Sequence, residues 1–561
     1  MRTTSARVRM ILGILAPLLL GTPGWAATPS LSEVAHVVVI YMENHSFDNR
    51  FGGWESVDGL TGTYIPQVDQ QGIPYSCLPQ QANGWLQSPP LPASCSDPSR
   101  NITSAFLNAP FNAADYQSCK LDKSKNCQSI PVTHEFYQEQ YQIHGGLMDR
   151  FVIGNKTTGN AVNFMDTKTL PIYELLHDPS QPIGYAVLDH FFHAAFGGSF
   201  LNHQWLVAAR TPIWVHAPND GGPNDLHSVV DSEGMPNTAK KSDGTDYLYR
   251  TTATYALQDG NLTVSCHPAP HRGPTPPGIP CGDYAVNTLQ PGQQPHKPNT
   301  KKNEHLPLLT TPTIGDELND RQIDWAWYAA GWSNANGDID KPGWTNGTPE
   351  QLAKEPKCYR YVGPFPFCAW SRFQMHHQPF NYYKSFDRNT DKGKKNRNDH
   401  LKDLVEFRQH LKQSSADCKL KSVSFIKPYL NDAEHSLGGL DIKGNQWLAY
   451  LVGELVQSAC YKDSLIIVTY DENGGEYDHV SPPSKTNPTG PSDEWGPGTR
   501  VPTLVISGLL PTGGLVDHTS YDTTSILRTL EEMYAMPPLS QRDARVNSLG
   551  KVFSNAVPLT H

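Results

Sequence analysis

The sequence predicts an α/β protein: a central, mostly parallel sheet flanked by helices and carrying long loop-rich insertions. Three observations predict it. Short runs rich in β-branched residues break into polar clusters, and stretches with helical apolar spacing alternate with those runs. Glycine and proline, 45 and 47 of 561 residues, are abundant enough to demand many long loops on a globular frame.

The strand signals come in order. Ala35–Met42 (AHVVVIYM) runs into Glu43-Asn44-His45-Ser46, and Leu465–Tyr470 (LIIVTY) runs into Asp471-Glu472-Asn473-Gly474-Gly475. Ser422–Ile426 and Thr503–Ile506 read as two more strands, all four with the continuous apolar character of parallel strands covered on both faces. Trp447, Tyr450, Leu451 and Leu455 keep helical spacing, as do Leu401, Leu404, Phe407 and Leu411. Ile526, Leu527, Leu530 and Met533 do the same after Asp522-Thr523-Thr524, a suitable helix start. Ligands of such sheets bind at the carboxyl ends of the strands. Two of the four strand ends here carry carboxylates.

Around that frame, residues 1–27 read as a secretory signal, with Arg2, Arg7 and Arg9 before the apolar run Met10–Leu20 and Trp25-Ala26-Ala27 as a cleavage site. A buried N-terminal helix is the competing reading. The apolar run is too short for a membrane span, and no later stretch approaches the necessary ~20 residues. Export would move the formal charge from −10 to about −13, a poor balance for nucleic-acid binding. Lys392-Gly393-Lys394-Lys395-Asn396-Arg397 reads as a solvated loop. Residues 28–561 are expected to form one domain with a loop-rich insertion at about 212–302. The ten cysteines behind an export signal favour structural disulfides, with sequence neighbours 77–95, 119–127, 266–281, 358–368 and 418–460 as the expected pairs.

Candidate chemistry sits at the strand ends. Glu43, Asn44, Asp471 and Glu472 form an all-oxygen set suited to a hard or borderline divalent ion. Adjacent carboxylates repel unless a proton or cation lies between them. Phe196-Gly197-Gly198-Ser199 places glycines before a serine, either a helix N-cap or a nucleophile approached closely by its ligand. Among 22 histidines, His134, His377 and His435 lie in dense polar settings. Trp325-Ala326-Trp327-Tyr328-Ala329-Ala330-Gly331-Trp332 reads as core or as pocket lining.

Tyr41-Met42-Glu43-Asn44-His45-Ser46-Phe47-Asp48-Asn49-Arg50-Phe51-Gly52 resembles the ENRSFDxxFG signature of the bacterial phospholipase C/acid phosphatase phosphoesterase family. Asp471–Val480 and Gly496-Pro497-Gly498-Thr499-Arg500-Val501-Pro502 resemble two further motifs of that family. The resemblance implies an alkaline phosphatase-like fold and cleavage of phosphate esters by a metal-activated hydroxyl. Ser199-Phe200-Leu201-Asn202-His203 resembles the acid phosphatase branch, with Ser199 as nucleophile, rather than the threonine TxPNR run of the phospholipase C branch. By the same resemblance, Glu43, Asn44, Ser199, Asp471 and Glu472 match metal-binding positions. His134, Asn202, His377 and His435 match positions that hold phosphoryl oxygens or the leaving group, with His376 an alternative to its neighbour.

The chain departs from those acid phosphatases in having Glu472 where they carry a second aspartate, which leaves calcium, magnesium, manganese, zinc and iron all open. The implied protein is a secreted or periplasmic, metal-dependent acid phosphatase working through a phosphoserine on small phosphorylated substrates. Histidines near pKa ~6.5 would give it an acidic optimum. The alternative is a phospholipase C acting on phospholipid head groups, with Trp325, Trp327, Trp332, Trp344 and Trp370 offering cation–π contacts to a choline-like cation. A non-catalytic secreted binding protein on the same scaffold is the remote third.

Overall fold

The apolar runs form the centre of one nine-stranded sheet. The structure, a computed structural model, describes residues 29–79, 93–114, 133–155, 158–214, 217, 226–228, 230, 259–264, 280–297, 300, 304–345, 373–430, 432–435 and 442–560. In chain order the strands are β1 (His36–Met42), β2 (Tyr185–Leu188), β3 (Trp325–Ala329), β4 (Leu401–Asp403), β5 (Val423–Lys427), β6 (Ser464–Tyr470), β7 (Thr503–Ile506), β8 (Leu515–Asp517) and β9 (Val557–Pro558). They lie in the order β4-β3-β5-β1-β6-β7-β2-β8-β9.

β1 runs parallel to both β5 and β6, with Ile40 opposite Ile426 and Met42 opposite Tyr470. Every β6 residue is buried, as is β1 beyond His36, which is why neither strand shows an in/out alternation. The shared register brings Glu43 and Asp471 out of the sheet at one level, with Lys427, the last residue of β5, level with Tyr41 just below them.

Several expectations change. Thr503–Ile506 is a buried strand, but it runs antiparallel to both neighbours. Leu401 belongs to β4, and the helix begins only at Leu404, where the Asp403 side chain accepts the Val405 N–H as N-cap. The aromatic run is β3, with Trp325, Trp327 and Trp332 fully buried. Trp332 already lies 5.2 Å beneath the Arg397 guanidinium, so these three rings are core and no platform for a head group. The basic run is helical, within Asp391–His400, and buries Gly393, Asn396 and Arg397.

The remaining helix signals hold, in Lys443–Val456 and Thr524–Tyr534. Cys77–Cys95 and Cys418–Cys460 are disulfides, and Cys281 is also disulfide-bonded. The other expected pairs involve residues outside the described ones, as do residues 1–27 and most of 212–302. Among the described residues no helix is long and apolar enough to cross a membrane.

Candidate active site

Helix α1 (Phe47–Arg50) follows the turn after β1, α2 (Phe136–Ile143) flanks the cleft, and α3 (Ser199–Ala208) brings Ser199 to the sheet edge. Gly197 enters that edge at φ +93, and a Cβ there would sit 2.8 Å from the Phe136 amide nitrogen. Only glycine permits the approach. Ser199 opens α3, with Gly198 as N-cap. Its Oγ lies 3.1 Å from Glu43 Oε2, 3.4 Å from Asn44 Oδ1 and 3.5 Å from Glu472 Oε1. Segments far apart in the chain thus converge on one hydroxyl.

Backbone geometry holds the carboxylates. Asn44 is left-handed at φ +58, a conformation asparagine tolerates better than most residues. Its N–H and that of Glu472 both donate to Asp471 Oδ1, at 3.0 and 2.9 Å. Among the described residues Asp471 Oδ2, which is buried, has no hydrogen-bond partner. The three motifs fasten these loops together. Arg500 donates to Asp478 Oδ1 at 2.8 Å and Asp48 Oδ1 at 3.0 Å, and His479 Nδ1 lies 2.8 Å from Asp48 Oδ2. Arg50 pairs with Glu434 at 3.1 Å, pinning the loop that presents His435.

Among the described residues one ammonium lies within the cluster. Lys427, fully buried at the end of β5, places Nζ 2.5 Å from Glu43 Oε1, and His377 Nε2 lies 2.8 Å from the same oxygen. Burial opposes ionisation of Glu43, but Lys427 and His377 hold its carboxyl well below the usual range. Burial and then the charge of Glu43 push Asp471 up to about 7. Burial and then Asp471 push Glu472 well above the usual carboxylate range. Such a set needs a proton or a cation among its oxygens. The orphan Asp471 Oδ2 and the oxygen-rich donor set fit a divalent ion held by Glu43, Asn44, Ser199, Asp471 and Glu472. Glu43, His203 and His377 offer a second group, their donor atoms within 4.8 Å of one another.

Above Ser199 opens a cleft of about 390 Å³, walled by His134, Glu135, Asp259, His376, Leu430 and His435. Asp259 comes from the insertion. His134 Nε2 lies 3.4 Å from Asn44 Nδ2 and 3.7 Å from Glu472 Oε1. His377 turns away from the cleft toward Glu43, whereas its neighbour His376 lines it. The Asn202 side chain is engaged by the loop before α3, donating to the carbonyls of Ala195 at 2.9 Å and Gly197 at 3.1 Å while accepting the Ala195 N–H. Burial lowers His377 and His435 to about 4 and puts His203 and His376 well below 6.5. Burial thus opposes protonation of these imidazoles in the resting site.

Sequence reasoning missed Lys427 and His203. His203 Nδ1 sits 2.6 Å from the Ser199 carbonyl, and its ring stacks on His377 at 5.4 Å. The available signal was position: Lys427 ends a strand at the sheet's ligand edge, and His203 lies one helical turn after Ser199.

Known proteins are similar to parts of this chain. Phospholipase C B of Mycobacterium tuberculosis is 31% identical over 162 residues, 25% of this chain and 30% of that protein. Non-specific phospholipase C6 of Arabidopsis thaliana is 29% identical over 177 residues, 27% of this chain and 34% of that protein. The matches thus span about a third of these relatives' length. A solved structure titled Crystal structure of Ps i-CgsB aligns over 43% of this chain and 57% of its own, at 13% identity and a TM-score of 0.22. The model of the Phosphoesterase family matches residues 34–537, nearly all of the described sheet and every residue of the site, and the chain therefore belongs to the Phosphoesterase family.

Proposed function

We propose that this chain is an exported, metal-dependent acid phosphatase that hydrolyses phosphate monoesters through a phosphoserine at Ser199. The observation that carries the reading is the Ser199 hydroxyl, set 3.1–3.5 Å from Glu43, Asn44 and Glu472 at the floor of a histidine-walled cleft. A divalent cation on Glu43, Asn44, Ser199, Asp471 and Glu472 would supply the positive charge that favours loss of the serine proton.

The chain's own groups do the rest. Ser199 Oγ attacks phosphorus as the bond to the alcohol oxygen breaks, and its proton passes to the carboxylate oxygens facing it. His134 and His376 donate to the equatorial phosphoryl oxygens, where charge develops. His435 protonates the departing alkoxide, the phosphate dianion beside it favouring its imidazolium form. Water then adds to phosphorus, giving one proton to His435, while Ser199 leaves and recovers its proton from the carboxylates. Asn202 and His377 act one layer back, Asn202 on the loop before the nucleophile and His377 on Glu43. Export agrees with the two described disulfides.

Ser199→Ala is expected to abolish p-nitrophenyl phosphate turnover with the fold retained; near-normal turnover would overturn the assignment. The names of the relatives favour a second reading, hydrolysis of phosphodiester head groups. Comparing p-nitrophenyl phosphate with p-nitrophenyl phosphorylcholine decides between them, and the first reading expects the higher kcat/KM on the monoester.

A further inference from the structure

Farther along the same sheet edge, a second set of donors converges. β2 and β8 run parallel with Leu188 opposite Asp517, so Asp189 and His518 leave the sheet side by side. Asp189 is fully buried, and each of its carboxylate oxygens meets an imidazole. His190 Nδ1 lies 2.9 Å from Oδ1, and His518 Nδ1 lies 2.8 Å from Oδ2. Donor atoms of the three residues all fall within 4.8 Å of one another. An ion bound at about 2.0–2.2 Å sets neighbouring donors about 2.8–3.5 Å apart, which matches both carboxylate–imidazole spacings. The His190 and His518 side chains remain 25% and 53% exposed, so an ion can enter from solvent.

The surrounding charge points the same way. Asp58 donates its N–H to Asp189 Oδ2 at 2.7 Å, and its carboxylate stands 3.6 Å from His190 Nε2 and 3.1 Å from His479 Nε2. Behind it, Arg500 is matched by Asp478 at 2.8 Å. His479, set between Asp48 and Asp58, is driven against the cost of burial up to about 10 and matches Asp48. The carboxylates Asp48, Asp58, Asp189 and Asp478 thus outnumber Arg500 and His479 among the described residues, and the Asp189 carboxylate itself meets the His190 and His518 imidazoles and the Asp58 N–H. A divalent ion completes the balance, and two imidazoles with a carboxylate suit zinc or a similarly borderline-soft metal.

We propose that Asp189, His190 and His518 form a zinc-type metal site, separate from the Ser199 cage. Its position makes it a clasp between the ends of β2 and β8, and through Asp58 it reaches the loop that follows the first motif.

The test loads full-length protein with excess Zn²⁺, removes free ion and measures zinc per chain by elemental analysis. His518→Ala, at a half-exposed position, is expected to retain one equivalent fewer than wild type while p-nitrophenyl phosphate turnover stays unchanged. Asp471→Asn marks the cage: it is expected to keep the His518-dependent equivalent, so failure of the catalytic reading and failure of this one give different patterns. Equal zinc in wild type and His518→Ala would leave a hydrogen-bonded cluster only and overturn the proposal. Should His518→Ala fail to fold, anomalous scattering at the zinc edge from wild-type crystals decides. A peak within about 2.2 Å of the Asp189 carboxylate and both imidazoles supports the site, and its absence overturns it.

Discussion

Replacing Lys427 with methionine removes the only ammonium that the described residues place among three buried carboxylates, while roughly preserving the side chain's volume. At the 2.5 Å separation from Glu43 Oε1, the gross attraction is about 6–7 kcal/mol for an effective dielectric constant near 20. Much of this is offset by the desolvation of two ions, but removing one partner leaves the other charge buried. Such losses run at about 3–5 kcal/mol. The Lys427 hydrogen bond to the Met42 carbonyl, at 3.3 Å, goes as well. Urea unfolding in EDTA is therefore expected to show Lys427→Met destabilised by about 3–5 kcal/mol. In saturating divalent ion the deficit is expected to shrink, because a cation in the cage takes over part of the charge balance. A variant within about 0.5 kcal/mol of wild type in EDTA would refute the reasoning, since that is the range of substitutions touching no buried network. It would mean that Glu43 is not held as a carboxylate by this lysine.

Two further perturbations lie outside the cage. His479 titrates near ~6.5 when unfolded and at about 10 when folded. Its stabilisation is thus fully present below about 6.5 and lost as pH rises through about 10. Discounted for the half-open Asp58, it is worth about 1–3 kcal/mol; the gap in unfolding free energy between wild type and His479→Gln should close between pH 7 and 10.5, and an unchanged gap would contradict the ion pair. The Cys418–Cys460 bridge closes a separation of 42 residues, so the double alanine variant should lose about 2–4 kcal/mol in a denaturant melt, and no loss would show that the bridge constrains nothing.

How much of this was legible depended on whether the deciding contact was local. The hydrophobic runs of β1 and β6 announce themselves because burial on both faces removes alternation, and the polar residues after them mark the ligand edge. Strand direction is set by connections rather than composition, so β7 reads like its parallel neighbours although it runs the other way. β3 hid behind its tryptophans, since a run of large aromatic residues suits a pocket wall and a sheet core alike. Lys427 was passed over because a lysine after an apolar strand ordinarily reaches solvent; only Glu43, delivered by the neighbouring strand, explains its burial. His376 and His377 show the limit of motif matching. Adjacent residues point in opposite directions, and the turn that aims one into the cleft and the other at Glu43 is a tertiary feature. Asn202 matched its motif position, yet the Ala195–Gly197 loop takes its amide.

The most direct measurement is an acid quench of p-nitrophenyl phosphate turnover followed by phosphopeptide mapping. The account predicts stoichiometric phosphate on the peptide containing Ser199, absent from Ser199→Ala. Turnover at full rate with no phosphorylated serine trapped, or phosphate found on another residue, would contradict it.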